Sequence, residues 1–463
     1  MKYVVFTFAV LGVPPLTFLL CLNRRWMKYA FWAMCGALCF YGAFKLNFFS
    51  RDWYRGSARG MEVSVIYLLS LAVLLAHAIR RRFAGFFPEW GYRLYFLYFL
   101  LCLPSVLNVG DAVWETFGNT ADEPILTGTL AAWFEIWKMM MLYVFYLAVY
   151  TYVKATDDIS SVLGGLASFS ILNFVLMVKA HLQGVYQPDG LFPHQNGMAM
   201  GMHLFVGIFF ASYLVNGLRT RFDKFIAVAF VCSIGSLMRS YSRGAIAMVP
   251  VNLGLVFLVT MWRARPCHWL RRMLPLVAVG FLALVAMLPR IVERFEKAPA
   301  ESANTRKELA ALAVEMVKDK PWFGVGINNW GIKCNPPYDY CARSGREIRR
   351  ANEGVQDGVV ETVYLLVGAE CGLPALGAML LWFLYYFVSC FRLLGRLRGT
   401  RVFFFPAGLL GGLAASYLQS CLEWVLRQQM NLIILMFMFA IVSYLNTRVR
   451  QPRGDWEKFS EKS

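Results

Sequence analysis

The stretch 225–260, FIAVAFVCSIGSLMRSYSRGAIAMVPVNLGLVFLVT, decides the fold class of this chain. Two apolar runs, 225–237 and 245–260, flank a short polar segment that contains Arg239 and Arg243. Apolar runs approaching ~20 residues are typical of helices that cross the hydrocarbon core of a bilayer. A guanidinium group at the edge of that core is costly unless it meets an anion or water. The two arginines therefore mark either a functional site or side chains that extend to lipid headgroups.

The composition of the whole chain agrees with this interpretation. Of 463 residues, 58% are hydrophobic and only 16% are charged, and the mean hydropathy is +0.51. Soluble domains carry about a quarter charged residues, so the composition excludes a soluble globular protein. Residues 1–22 are apolar, lack a small-residue cleavage site and continue into Arg24 and Arg25, so we interpret them as a first span rather than a cleaved signal peptide.

Apolar runs along the chain predict an all-α, polytopic integral membrane protein with about 13 (12–14) transmembrane helices and one large extracytoplasmic loop. The predicted spans are 3–22, 29–49, 61–79, 94–109, 128–153, 159–180, 197–217, 225–239, 244–262, 273–289, 359–391, 402–421 and 430–447.

The basic residues of the short loops predict the orientation. One set of loops carries about 24 Lys and Arg residues and the opposite set about six, and the richer side is expected to be cytoplasmic. The chain then divides into a membrane domain (1–289), an extracytoplasmic loop (290–358), a second membrane part (359–447) and a cytoplasmic tail (448–463). The net charge of +18 reflects this asymmetry and anionic lipid, and we find no nucleic-acid-binding signature.

The outer loop is predicted to contain structure of its own. Residues 305–317 read as a short helix with an apolar face of Leu309, Leu312, Ala313 and Met316. Cys334 and Cys341 flank a Pro-Pro turn on the oxidising side of the membrane and predict a small disulfide loop. A metal site is the alternative for this cysteine pair, but the loop contains no histidine.

Several polar side chains are expected to meet on the outer side. A cationic face with a few carboxylates at membrane level suits an anionic headgroup such as a diphosphate. The alternatives are solvated loop arginines and, for residues 193–196, an ordinary helix start with Asn196 as the N-cap. The candidates are His194, Asn196, Arg239, Arg243, Arg306, Glu353, Asp357, Glu361, Glu423 and Arg427.

The order of several motifs resembles the O-antigen ligase and polymerase superfamily of bacterial membrane glycosyltransferases. The resemblance covers about residues 185–380. Its motifs are Phe192-Pro-His-Gln-Asn196, Ser242-Arg243-Gly244, Arg306, Lys318-Asp-Lys-Pro-Trp-Phe-Gly-Val-Gly326, and Tyr364-Leu365 followed by Glu370-Cys-Gly-Leu-Pro374.

This resemblance implies a helical enzyme in the bacterial inner membrane, with its active site on the periplasmic side and its C-terminus in the cytoplasm. It further implies an undecaprenyl-diphosphate-linked glycan as donor, a glycan or lipid as acceptor, and no metal or other cofactor. Such an enzyme would act in O-antigen, lipopolysaccharide or exopolysaccharide synthesis, beside a flippase and a chain-length regulator.

The sequence departs from the family at one position. Ligases that it resembles carry His-Asn before the Tyr-Leu pair, and that histidine is their proposed base, whereas this chain has Glu361-Thr362. A carboxylate at a partly desolvated site can serve as a general base. The departure favours a polymerase or a specialised exopolysaccharide transferase over a ligase that acts on a lipid core.

The expected reaction is one displacement that inverts the anomeric configuration. Glu361 is the predicted base, with Asp357 and Glu353 as alternatives, and Arg243 is expected to stabilise the departing diphosphate with help from Arg306 and Arg239. His194 and Asn196 are expected to orient a substrate, and Arg427 is a further candidate for substrate binding.

Two other functional classes compete with this interpretation. A lipid-linked oligosaccharide flippase would show internal repeats and short loops on both sides, and this sequence shows neither. A non-catalytic scaffold of a polysaccharide-export complex would not need arginines at the ends of its spans.

Overall fold

The structure is a computed structural model that describes residues 2–38, 41, 45–49, 54, 56–81, 90–110, 127–263, 300–334, 338, 340–343, 350–351, 354–355 and 358–450. Its helices are α1 (Lys2–Leu11), α2 (Val13–Leu22), α3 (Arg24–Leu38), α4 (Val65–Arg81), α5 (Trp90–Cys102), α6 (Gly128–Thr156), α7 (Ile159–Leu182), α8 (Gln195–Asn216), α9 (Arg221–Arg239), α10 (Arg243–Arg263), α11 (Ala300–Asp319), α12 (Trp330–Lys333), α13 (Tyr340–Arg343), α14 (Val363–Arg396), α15 (Phe404–Gln419) and α16 (Gln429–Arg448). Short 3-10 turns lie at Leu103–Asn108, Arg401–Phe403 and Val425–Arg427. Two antiparallel ribbons pair β1 (Lys45–Phe48) with β2 (Met61–Ser64), and β3 (Arg350–Ala351) with β4 (Gly354–Val355).

The helical, polytopic character that the sequence predicts is confirmed. Within the described residues, nine helices are long and apolar enough to cross a membrane. The count of thirteen is not reproduced in this part of the chain. Helix α4 supplies a shorter apolar helix (Val65–Arg80), α9 is not among the nine, and the predicted span 273–289 lies outside the described residues.

The predicted span 29–49 is not a single helix. Helix α3 ends at Leu38, and residues 45–48 form a strand that pairs with residues 61–64. Lys45 forms an ion pair with Glu62 across this ribbon at 2.8 Å. The apolar content of 29–49 does not distinguish a helix from a strand, so the sequence shows no sign of this ribbon. The two strands of the ribbon pair their backbone N–H and C=O groups with each other.

The centre of the bundle is formed by α8, α15 and α16. Their apolar windows are 89%, 78% and 83% buried, respectively. Helices α8 and α15 cross with their backbones in close approach, because a Cβ added at Gly207 or Gly408 would collide with the backbone of the other helix. Small residues at a crossing allow such an approach in membrane proteins. Because these three helices are packed in the centre of the bundle, the segments at their ends are held in defined positions.

Helix α14 is broken at Gly372, and the glycine-rich segment of the outer loop fills the break. Gly372 adopts φ 85° and ψ 171°, a conformation that only glycine adopts without strain. The carbonyls of Ala369 and Glu370 accept hydrogen bonds from Val325 N–H at 2.8 Å and Gly326 N–H at 3.0 Å. Carbonyls that the break deprives of helical partners are thereby satisfied.

The same two segments also touch through a reciprocal contact. The N–H of Leu373 donates to the carbonyl of Pro321 at 2.8 Å. Cβ atoms at Gly324 and Gly372 would each collide with the backbone of the other segment. Two motifs that looked separate in sequence, 318–326 and 370–374, therefore form one structural unit that fixes the outer loop to α14.

Candidate active site

Four helix ends and a loop meet at one end of the bundle. Helices α8 and α14 begin there, α15 ends there, and α16 begins there after the segment 420–428. The N–H of Val363, the first residue of α14, donates to the carbonyl of Ser420 at 3.2 Å, which joins α14 to this segment. Side chains that are far apart in sequence are brought together at this place.

Arg306 joins two carboxylates at the centre of the candidate site. Its Nε lies 2.5 Å from Glu361 Oε2, and its Nη2 lies 3.4 Å from Glu423 Oε1. The side chains of Arg306 and Glu361 are 36% and 37% exposed, whereas that of Glu423 is only 8% exposed. An incoming hydroxyl can therefore reach Glu361 more easily than Glu423.

Helix α11 places Arg306 by burying its apolar face. Leu309, Leu312, Ala313 and Met316 are at most 2% exposed and share a cluster with residues at the start of α14. This confirms the apolar face that the sequence predicts for residues 305–317. Arg306 lies one turn before Leu309, so the packing of α11 directs its guanidinium towards Glu361.

The surroundings of Glu423 strongly reduce the acidity of its carboxyl group. Burial raises the pKa of Glu423 from its usual 4.5 to about 7, and the negative charge of Glu361 acts in the same direction. Arg306 and a hydrogen bond from Asn196 Nδ2, at 2.9 Å, act against this increase. A proton-accepting group with a pKa near neutrality is the type that general base catalysis favours.

His194 and Asn196 lie at the start of α8, and each has a defined role there. His194, rather than Asn196, is the N-cap, since its Nδ1 accepts the N–H of Asn196 at 3.2 Å. The alternative of Asn196 as N-cap is thus wrong, because its side chain donates to Glu423 instead. Nδ1 must be unprotonated to accept, so the neutral ring carries its proton on Nε2 and presents a donor.

The surroundings of His194 connect it to the acidic cluster. Burial lowers the pKa of His194, and the negative charges of Asp189 and Glu361 oppose that decrease. Asn196, two residues further along, donates to Glu423 at 2.9 Å, so the start of α8 adjoins the carboxylates that Arg306 joins. His194 is therefore part of the same site, as a neutral donor.

Arg239 and Arg243 lie on the turn between α9 and α10. Tyr241, in the left-handed region at φ 49°, fixes this turn by stacking on Tyr186, with ring centroids 5.5 Å apart. A Cβ added at Gly244 would lie 3.8 Å from Leu422, so the turn adjoins the segment that carries Glu423. Both arginines are half-buried, and neither has an ion-pair partner in the part of the chain that the structure describes.

Arg427 is turned into the protein rather than towards the cluster. Its Nε lies 3.0 Å from Glu135 and its Nη1 lies 2.5 Å from Glu370, and its side chain is 3% exposed. Lys138 completes the group, 2.6 Å from Glu135, so two cations neutralise two buried carboxylates. This network joins α6 and α14 to the segment 420–428. Arg427 therefore belongs to an interior ion-pair network and makes no contact with the carboxylates around Arg306 among the described residues.

The remaining candidates are less defined. Glu353 and Asp357, the alternative bases, lie outside the described residues. Cys334 and Cys341 are both buried, and the N–H of Cys341 donates to the carbonyl of Cys334 at 3.4 Å. Their disulfide stays a prediction. Within the described residues, no group of three His, Cys, Asp or Glu side chains is placed to hold a metal ion.

Comparison with protein families identifies the part of the chain that holds most of this site. Residues 228–380 match the family model described as O-antigen ligase. This part of the chain is an O-antigen ligase domain. The O-antigen ligase domain contains Arg243, Arg306, Glu361 and the break of α14 at Gly372, whereas the start of α8 and Glu423 lie outside it. The family implies a membrane glycosyltransferase that acts on lipid-linked glycans. A comparison with curated proteins found no match.

Sequence reasoning placed Glu423 on the outer side but assigned it no role. Its partner Asn196 is 227 residues away in sequence, and no local pattern indicates such a contact. The one available signal was a carboxylate in a short polar segment between two apolar runs, where an acidic side chain is costly unless paired. The same signal applied to Glu361, which was selected because it occupies the position that is histidine in the ligases of the family.

Proposed function

We propose that this chain transfers or polymerises a glycan from an undecaprenyl-diphosphate donor onto a glycan or lipid acceptor. The reaction would take place on the outer face of the bacterial inner membrane, in surface polysaccharide synthesis. One observation carries the proposal: two carboxylates share Arg306 at the end of the bundle, beside a turn with two half-buried arginines. A proton acceptor and an anion-binding group are the two components that this transfer requires.

Glu361 takes the proton in the proposed reaction. It is the more exposed of the two carboxylates, and Arg306 fixes its position. The acceptor hydroxyl gives its proton to Glu361, and its oxygen forms a bond to the anomeric carbon. The bond between that carbon and the diphosphate oxygen breaks, and the electron pair leaves with undecaprenyl diphosphate. A single displacement of this kind inverts the anomeric configuration.

Arg243 is assigned to the departing diphosphate, with Arg239 beside it. Fixed cations placed where charge develops supply a large part of many catalytic effects. The planar guanidinium can also bind two phosphate oxygens at once, which the ammonium group of lysine cannot reproduce. Both contacts of Arg306 are carboxylates. We therefore assign Arg306 to the proton-accepting side, and no longer to the leaving group.

Glu423 adds a second carboxylate beside Glu361 and Arg306. Burial raises the pKa of Glu423 to about 7, so this group loses its proton near neutral pH and adds a negative charge to the cluster. An added negative charge favours the arrival of the acceptor proton at the cluster. Transfer should therefore become faster as the pH rises through about 7.

Glu361 supports a polymerase or specialised transferase rather than a core-lipid ligase. The position that is histidine in the ligases of the family carries a carboxylate here. A carboxylate becomes neutral when it accepts a proton, whereas a neutral imidazole becomes positively charged. The two groups therefore need different surroundings to act as the base. The orientation rests on the basic loops, which favour a cytoplasmic C-terminus and a periplasmic site.

The experiment must separate transfer from transport. Purified protein is reconstituted into liposomes with the lipid-linked glycan extracted from cells of the same strain that lack this chain. Release of undecaprenyl diphosphate, growth of the glycan and its anomeric configuration by NMR are measured, together with movement of the donor between leaflets. Release with inversion supports the proposal, whereas movement without release identifies a flippase.

A matched pair of variants connects the result to the site. Glu361→Gln is expected to abolish release. Glu315→Gln, which removes a carboxylate of α11 on a different face of the helix, is expected to leave release unchanged. Equal activity of the two variants would contradict the proposed role of the cluster.

A further inference from the structure

Two large aromatic side chains of the outer loop lie on the surface of the protein. Trp322 is 70% exposed and Phe323 is 47% exposed. Their backbone is nevertheless held in place, because the carbonyl of Pro321 accepts the N–H of Leu373 in α14 at 2.8 Å. Adjacent exposed aromatic side chains on a fixed backbone are typical of a surface that contacts a protein or a membrane.

Helix α14 shows where the hydrocarbon of the membrane begins. None of residues 363–372 is exposed, whereas one face of the helix is exposed from Leu373 onwards. Four large apolar side chains form a stripe on this face, each 45–55% exposed: Leu373, Leu380, Leu384 and Phe391. Their spacing of seven or four residues places them above one another along the helix. The stripe is about 27 Å long, close to the ~30 Å thickness of the hydrocarbon core.

The exposed aromatic pair lies at the outer end of this lipid-facing stripe. A Cβ added at Gly372, directly before the first residue of the stripe, would collide with the carbonyl of Trp322. At the opposite end, Arg392 and Arg396 are exposed. Tryptophan is enriched at the level of the lipid headgroups, and arginine on the cytoplasmic side. The two ends of the stripe therefore have the side chains that are expected at the two surfaces of a bilayer.

Two lysines beside the aromatic pair add positive charge at this level. Lys318 and Lys320 are both exposed, and neither has an ion-pair partner among the residues that the structure describes. The carboxylate of Asp319, between them in sequence, accepts a hydrogen bond from the hydroxyl of Tyr340 at 2.9 Å. Basic side chains at a membrane surface attract anionic phospholipid headgroups.

Helix α11 joins this surface to the candidate active site. Near its start, Arg306 pairs with Glu361, which precedes the first turn of α14. After its end, Pro321 bonds to Leu373, where the lipid-facing stripe begins. Helix α11 therefore runs alongside the outer part of α14, from a level outside the hydrocarbon down to its boundary. If the lower end of α11 is held at the membrane surface, Arg306 is kept at a fixed height above that surface.

We propose that Lys318, Lys320, Trp322 and Phe323 form an interfacial anchor that binds the bilayer leaflet on the side of the outer loop and prefers anionic phospholipids. The two aromatic rings lie at the level of the headgroups, and the two ammonium groups pair with lipid phosphates. A membrane is favoured over a protein partner because the anchor continues the lipid-facing stripe of α14 and carries charge that complements anionic lipid. The anchor depends on the fold alone and would operate whatever reaction the site catalyses.

A photoreactive benzophenone amino acid in place of Trp322 tests this contact. The full-length protein is irradiated in nanodiscs with equal amounts of phosphatidylglycerol and phosphatidylcholine and, in parallel, in isolated cell membranes. Mass spectrometry then identifies the attached molecule. The same probe in place of Leu380 is the positive control, and in place of Lys307, beside Arg306 at the other end of α11, the negative control. Phe323 provides a second probe position if the first variant does not fold.

The probe at Trp322 should attach to phospholipid, as the probe at Leu380 does, whereas the probe at Lys307 should not. Adducts with phosphatidylglycerol should outnumber those with phosphatidylcholine by about fivefold or more, the effect of one basic residue near an anionic surface. Lys318→Gln combined with Lys320→Gln should bring this ratio close to one while lipid is still attached. Lys307→Gln is the matched control and should leave the ratio unchanged.

Three results would overturn the interfacial anchor. If the probes at Trp322 and Phe323 attach no lipid while the probe at Leu380 does, the aromatic pair lies in water. Attachment to another protein in cell membranes, in place of lipid, would identify a surface for protein docking. A ratio near one in the protein that keeps both lysines would contradict the preference for anionic headgroups.

Discussion

Glu423 is expected to destabilise the folded protein, and its replacement by glutamine should reveal the size of that effect. Its side chain is 8% exposed, and burial is the largest cause of its raised pKa. Glutamine has nearly the same shape and can still accept the hydrogen bond from Asn196, but it cannot ionise. Glu423→Gln therefore removes the cost of a buried negative charge while the packing is retained.

The size of the stability loss caused by Glu423 follows from its pKa values in the unfolded and folded states. Glu423 titrates near 4.5 in the unfolded chain and at about 7 in the folded one. Below pH 4.5 the group is protonated in both the folded and the unfolded state, so it does not change the free energy of unfolding. Between pH 4.5 and 7 the unfolded chain releases the proton and the folded chain keeps it, so the wild type loses stability progressively. Above pH 7 the loss is complete, at about 3 kcal/mol.

The assay is thermal unfolding in detergent at pH 4.5, 6, 7 and 8, followed by tryptophan fluorescence. The apparent midpoint of Glu423→Gln should exceed that of the wild type by an amount that grows up to about pH 7 and then stays constant. Glu315→Gln should show no such pH-dependent difference. The reasoning is refuted if the wild type is the more stable protein at pH 8, or if the difference does not change with pH.

Other predictions concern separate features of the molecule. Arg243→Lys keeps the charge but loses bidentate binding, so it should lower donor affinity and turnover by about tenfold or more; native values for both in the purified variant would contradict this. Cys334 and Cys341 should be joined in protein isolated from cells, and intact mass after alkylation with and without reductant decides it, since two alkylated thiols would exclude the bridge. Gly372→Ala should destabilise the protein by roughly 1–3 kcal/mol from backbone conformation alone, and its collision with Trp322 should add to this; an unchanged thermal midpoint would argue against the broken helix.

The helical membrane fold could be predicted from the sequence because its signal is local. Apolar runs of the required length mark most of the long helices, and the periodicity of residues 305–317 identified the buried face of α11. The ribbon of residues 45–48 and 61–64 could not be predicted in this way. Its strands lie inside runs whose hydrophobic content is the same for a helix and for a buried strand.

Several residues of the site could be predicted from the sequence, but the contacts between them could not. His194, Arg306 and Glu361 were selected from motifs, and the structure places them close together. The role of Glu423 depends on burial and on a partner 227 residues away, which only the fold determines. Arg427 was expected on the outer face, but two buried carboxylates from other helices bind it in the interior.

The proton-accepting role of Glu361 is the central claim, and one measurement tests it most directly. Purified wild-type protein and Glu361→Gln are compared for binding of the lipid-linked glycan and for release of undecaprenyl diphosphate in a single turnover. We predict that the variant binds the donor with native affinity and releases no measurable undecaprenyl diphosphate. Release at the wild-type rate by Glu361→Gln would show that the proton is accepted elsewhere and would contradict the proposed mechanism.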